Sequence, residues 1–160
     1  MMYNFRLSDG SLAQVEILDT SGQEKFRSLS QKYFIKADCC LLVYDISDKN
    51  SFNECKYYSE QIREKCKKGI NTILLGNKTD LENKRQISPD EGANFALENK
   101  YLFLETSCLK NEKVADAFQT LIETTNKTTN NRIIENNDNN LKLNIKDNNN
   151  KKKKRKLCFK

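Results

Sequence analysis

Two short stretches hold residue types that could handle a metal-bound phosphate and an aromatic base. The first is Asp19-Thr20-Ser21-Gly22-Gln23-Glu24-Lys25-Phe26, directly after the alternating run Ala13-Gln14-Val15-Glu16-Ile17-Leu18. A carboxylate at a strand end can face a metal ion. Gly22 lets the backbone approach a phosphate with no Cβ in the way, and the Gln23 carboxamide could hold a water in line with the phosphorus. The second stretch is Asn77-Lys78-Thr79-Asp80, closing the apolar run Asn71-Thr72-Ile73-Leu74-Leu75-Gly76. The Asp80 carboxylate can accept from two neighbouring N–H donors at once. Either stretch alone is equally well read as a turn between ordinary elements; what gives them weight is that both follow strands.

The elements that must position these residues are legible from periodicity. Met1 to Leu7, the turn Ser8-Asp9-Gly10-Ser11 and Leu12 to Leu18 predict a β-hairpin. Glu24 to Ala37 reads as a helix, with Phe26, Leu29, Tyr33 and Phe34 near one face. The unbroken run Cys39-Cys40-Leu41-Leu42-Val43-Tyr44 predicts a strand buried on both faces. Phe52, Cys55, Ser59, Ile62 and Cys66 recur at helical spacing up to Gly69, and Ser88-Pro89-Asp90-Glu91 supplies a helix start with proline at its first position. Tyr101 to Leu104 is a further strand, and Val114, Ala117, Phe118, Leu121 and Ile122 define a last helix. Strands alternating with helices after one hairpin predict an α/β fold: an open, mostly parallel sheet with helices on both faces and ligands outside the carboxyl ends of the strands.

Composition narrows the chemistry. The 160 residues hold 28 Lys and Arg against 22 acids, but seven of the cations lie in the last ten residues, which contain no acid. The excess positive charge is a terminal tag rather than a groove across a folded domain, which argues against nucleic acid as a partner. There is no histidine and no Cys-x-x-Cys, which removes the usual zinc sites and Ser-His or Cys-His triads. Cys39 and Cys40 must point to opposite faces of one strand, so the six cysteines are read as free thiols in a reducing cytosol. The amino-terminal residues contain no long apolar segment, so neither a signal peptide nor a membrane span is expected.

Taken together, Asp19 to Phe26, Asn77 to Asp80 and Glu105-Thr106-Ser107-Cys108 resemble the Ras superfamily of small GTPases over roughly residues 1–125. The stretches Phe26-Arg27-Ser28-Leu29, Lys32 to Asp38 and Val43-Tyr44-Asp45-Ile46 are most similar to its Rab branch. The resemblance implies a P-loop NTPase fold, GTP or GDP with Mg²⁺, and a switch in vesicle and protein transport. It implies that Asp19 stands beside Mg²⁺ through water, that the Gly22 amide meets the terminal phosphate and that Gln23 orients the attacking water. It further implies that Asp80 selects guanine, that Asn77 holds the loop and reaches the base edge, and that the Lys78 stem lies along a base face. Ser107 and Cys108 fall in the third base-facing loop, where the Cys108 N–H meets the guanine carbonyl. Effectors or regulators would bind through Glu24 to Asp38. Three positions depart from the family pattern: Ser21 where alanine is usual, Leu18 for tryptophan, and Leu109 for lysine.

No G-x-x-x-x-G-K-S/T occurs in these residues, and the five glycines cannot compose one. The expectation is a G domain over 1–126 that lacks the family's first strand, phosphate loop, first helix and first switch. By resemblance that strand lies mid-sheet, between those ending at Asp19 and Asp45, so two inner edges should be left open. Residues 127–150, rich in Asn, read as a disordered linker, and 151–160 as a polybasic tail. Its Cys158 is a lipidation candidate that would hold a cytoplasmic protein peripherally on the cytosolic face of an anionic membrane. Three readings stay open here: a Rab-like GTPase, a nucleotide-independent membrane-associated interaction module, and a fragment of an ordinary GTPase.

Overall fold

The computed structural model describes residues 1–19, 33–139 and 154–159, and only the backbone of residues 130–139, 154 and 159. Its strands are β1 (Met2–Arg6), β2 (Leu12–Asp19), β3 (Cys39–Asp45), β4 (Asn71–Asn77), β5 (Leu102–Glu105) and β6 (Lys154–Phe159). The helices are α1 (Lys49–Lys65), α2 (Pro89–Glu98) and α3 (Val114–Asn139), with a short 3₁₀ segment at Thr79–Lys84.

Local chemistry accounts for most boundaries. The β1–β2 hairpin turns on Gly10 at φ +81°, where a Cβ would be strained, and the Asp9 carboxylate accepts from the Ser11 N–H at 2.9 Å. Helix α1 starts where the Asp48 side chain accepts from the Asn50 N–H, and α2 where the Ser88 hydroxyl accepts from the Glu91 N–H behind Pro89.

Strand order is β1-β2-β6-β3-β4-β5, with β1 antiparallel to β2 and all other pairs parallel. Alternation sorts the side chains into two cores. Cys40, Leu42 and Tyr44 of β3 join Phe52, Cys55 and Ile62 of α1 and Ala96 of α2 on one face. Cys39 and Leu41 join Ile73, Leu75 and the α3 residues Ala117, Leu121 and Ile122 on the other. The sheet therefore carries helices on both faces, and all six cysteines are free thiols.

Two elements differ from expectation. Helix α3 runs through Asn139, where the Asn-rich composition predicts a disordered linker from residue 127. The Thr124, Thr125, Thr128 and Thr129 hydroxyls each bond the carbonyl four residues back, and the Asn71 amide donates to Thr128 at 3.2 Å, so polar side chains that read as linker serve the helix. The second difference is β6. The polybasic tail is a parallel strand between β2 and β3, filling the position where two open edges were expected, with Leu157 in one core and Cys158 in the other.

Candidate functional site

The strands present their carboxyl ends along one sheet margin, and Asp19, Asp45, Asn77 and Glu105 terminate β2, β3, β4 and β5 there. Register places Asp45 beside Asn77, and Gly76 beside Glu105. The loops after β4 and β5 are stitched to one another. The Asn77 Oδ1 accepts from the Thr106 hydroxyl at 3.3 Å and from the Cys108 N–H at 3.2 Å. Between the same loops the Thr79 N–H donates to the Thr106 carbonyl at 3.1 Å, and the Ser107 hydroxyl donates to Asp80 Oδ1. Asp80 is half-buried and its carboxylate is held by a neighbour, while Ser107 is fully buried and Cys108 exposed. A carboxylate oriented in this way suits a planar ligand offering two adjacent N–H donors.

Lys78, at φ +69°, turns out of the strand and its ammonium lies 2.6 Å from Asp45 Oδ2, linking the loops after β3 and β4. Burial pushes the Asp45 carboxyl up, but the Lys78 ammonium and the Ser47 hydroxyl and N–H more than offset it, so the carboxyl sits below its ordinary value. The same bond raises the Lys78 ammonium. Behind the loops, the Arg85 guanidinium grips Glu105 through both carboxylate oxygens, at 2.6 and 3.1 Å, and Glu82 at 2.7 Å. Glu82 first and Glu105 second hold that guanidinium above its ordinary value.

The structure thus brings Asn77, Lys78, Asp80, Ser107 and Cys108 together at one end of the sheet. Asp19 stands exposed at the end of β2, three strand positions from β4 and so roughly 14 Å away across the sheet. Gly22 and Gln23 lie outside the described residues, as does Glu24 to Lys32 of the expected partner surface. Of the remainder, Ile35 is 62 % exposed while Phe34 and Ala37 are core. Cys158 is 1 % exposed, out of reach of any lipid transferase while β6 is in the sheet. Sequence reasoning missed Arg85, whose partner Glu105 is twenty residues on and leaves no local signal. It also passed over Asp45 as a site residue, although an acid ending an apolar run is the pattern that singled out Asp19.

As for the phosphate side, no cluster of three or more acids or cysteines fit to hold a metal forms among the described residues. A single carboxylate such as Asp19 is still compatible with Mg²⁺, which takes one or two protein carboxylates and completes its shell with water and substrate phosphates.

Comparison with known proteins agrees with this arrangement. A family model described as "Ras family" matches residues 4–127. The chain is 36 % identical over 130 residues to "GTP-binding protein ypt3" of Schizosaccharomyces pombe, covering 81 % of this chain and 61 % of that protein. It is 39 % identical over 113 residues to "GTP-binding protein YPT1" of Saccharomyces cerevisiae, covering 71 % and 55 %. With "Ras-related protein Rab-11B" of Dictyostelium discoideum it shares 35 % over 145 residues, covering 87 % and 66 %. The chain therefore spans somewhat over half the length of these relatives.

Proposed function

The chain belongs to the Ras family as a Rab-like member, and on that premise we propose that its β4 and β5 loops select guanine within a nucleotide-dependent switch of vesicle and protein transport. The observation that carries this reading is the Asn77–Asp80–Ser107–Cys108 cluster, two loops bonded to each other around a held carboxylate at the ligand end of a parallel sheet. Asp80 would take the ring N–H and exocyclic amine of guanine, and adenine would leave it unpaired. The Cys108 backbone would face the base carbonyl. Bound GTP with Mg²⁺ would supply the reactive phosphoanhydride and the countercharge. Asp19 would then hold a metal-bound water, the Gly22 N–H would meet the terminal phosphate and the Gln23 carboxamide would orient water for attack. Effectors would read Glu24 to Asp38.

Calorimetric titration with GDP and ADP, on the wild type and on Asp80→Asn, tests the assignment. Base contacts without a phosphate cradle are worth about −4 kcal/mol, a millimolar Kd. GDP binding that disappears in Asp80→Asn, with ADP binding absent in both, is the expected result. Equal binding of the two nucleotides refutes it.

One observation favours a second reading, a nucleotide-independent interaction module: the sheet is completed by the chain's own β6. Membrane attachment through Cys158 and the basic run belongs to either reading only for a state in which β6 has left the sheet. No described helix is long and apolar enough to cross a membrane.

A further inference from the structure

β6 is last in the chain and central in the sheet, and none of its described contacts is to the residues that lead into it. Six of its residues pair with β2 and three with β3. At its start the Asp38 N–H donates to the Lys156 carbonyl at 2.7 Å, while the Lys156 N–H donates to Asp38 Oδ2 at 3.0 Å. The other Asp38 oxygen takes the Lys67 ammonium at 2.8 Å. Lys156 Nζ lies 3.5 Å from Glu16, and the Arg155 guanidinium donates to Asn126 Oδ1 at 3.4 Å. The slot thus reads an extended backbone with a basic start followed by an apolar pair, Leu157 and Cys158, one for each core. We propose that this slot is a strand-binding groove whose intermolecular occupant is the 154–159 segment of a second copy of this chain, giving a tail-exchanged dimer.

Three features of the chain carry the proposal. Asn126 is level with the start of β6, so the α3 residues from 127 to Asn139 continue about 20 Å beyond it. Residues 140–153, fourteen in number, then span at most ~50 Å, enough to return to the same sheet or to reach a neighbouring one. In either case every contact of β6 is the same, and exchange of an identical segment is the low-cost route to a dimer. Finally, the strand that must enter mid-sheet is made last, so the edges of β2 and β3 stay open until residue 159 exists. Two open apolar edges are where chains pair with one another.

The test uses two full-length variants, Cys158→Ser and Cys40→Ser. Cys40 and Cys158 are register partners on neighbouring strands, within the Cα separation a disulfide needs. The variants are mixed at about 100 μM, unfolded and refolded together, and oxidised with diamide. A disulfide-linked heterodimer whose peptide map joins Cys40 of one variant to Cys158 of the other is expected. Wild-type chain should give a two-chain mass by light scattering that returns to one chain with excess synthetic peptide of residues 151–160. A one-chain mass at every concentration with no Cys40–Cys158 heterodimer overturns the proposal, and so does a dimer lacking that link or indifferent to the peptide.

Discussion

The β4–β5 end of the sheet and the β2–β6–β3 region are held by different means. At the first, every bond between the Asn77 loop and the Ser107 loop joins residues within a few positions of a strand end, on adjacent strands of one contiguous stretch. At the second, the central strand comes from the far end of the chain: Lys156 meets Asp38 across 118 residues. A site assembled from neighbouring strand ends needs only those strands to fold. A sheet filled by its last segment depends on a distant contact, and its stability should be the more fragile of the two.

The largest effect is expected in the tail. Leu157 is fully buried against Val15, Leu41 and α3, and Leu157→Ala removes three buried carbons and leaves a cavity, for a loss of about 3 kcal/mol. For a chain of this size that lowers Tm by roughly 9 °C, readable by calorimetry. A melting point within a degree of wild type would show that β6 adds nothing to the core and would erase the contrast. Arg85→Ala comes next, because it strands a half-buried Glu105 that is otherwise gripped through both oxygens. Breaking a fully buried pair costs about 3–5 kcal/mol, and the partial exposure here brings the expected loss to about 2 kcal/mol, measured by urea titration. That change should also loosen the base-side loops, seen as faster amide exchange at Thr106 and Ser107, while exchange in β6 stays as it was.

Gly92→Ala is a smaller perturbation in which two effects compete. Alanine in a helix gains up to about 1 kcal/mol over glycine. The new Cβ, however, would lie 2.8 Å from the Phe103 ring and closer still to the buried Tyr44 hydroxyl, and overpacking of that kind costs about 1–3 kcal/mol. Crowding wins, and a net loss of about 1 kcal/mol in the urea midpoint is expected. A variant more stable than wild type would mean that the wall behind the base-side loops can give way, unlike the core around β6.

How much of this was legible follows the same division. The hairpin at Gly10, the apolar runs of β3 and β4, the Ser88 cap and the base-side residues all lie in local patterns, and local patterns survive translation into structure. The tail does not. Arg155 and Leu157 share one face of β6 and Lys156 and Cys158 the other, but three cations among six residues hide that alternation, and composition reads it as a solvated tag. Only Asp38, Glu16 and Asn126, remote in the chain, make a strand of it. Residues past 126 escape in the same way, since the threonine back-bonds and the Asn71 contact exist only once α3 lies on the sheet.

The smallest effect lies in a single ion pair and follows pH. The Asp45 carboxyl is depressed in the folded chain, first against the opposing push of burial and then by the Lys78 ammonium and the Ser47 groups. A depressed acid contributes stability that is fully present above its unfolded value near 3.8 and is lost as pH falls through the lower folded value. In Asp45→Asn the acid limb of the stability curve should therefore be shallower below about pH 4 and the curves should converge at the lowest pH, as urea midpoints between pH 2.5 and 6 would read. The pair also ties the loop after β3 to the one after β4, so the variant should loosen Lys78 without touching β6. If the acid limb is unchanged in Asp45→Asn, the β3–β4 bridge contributes nothing to the base-side end, and the Asn77–Asp80–Ser107–Cys108 bonds alone keep it in place.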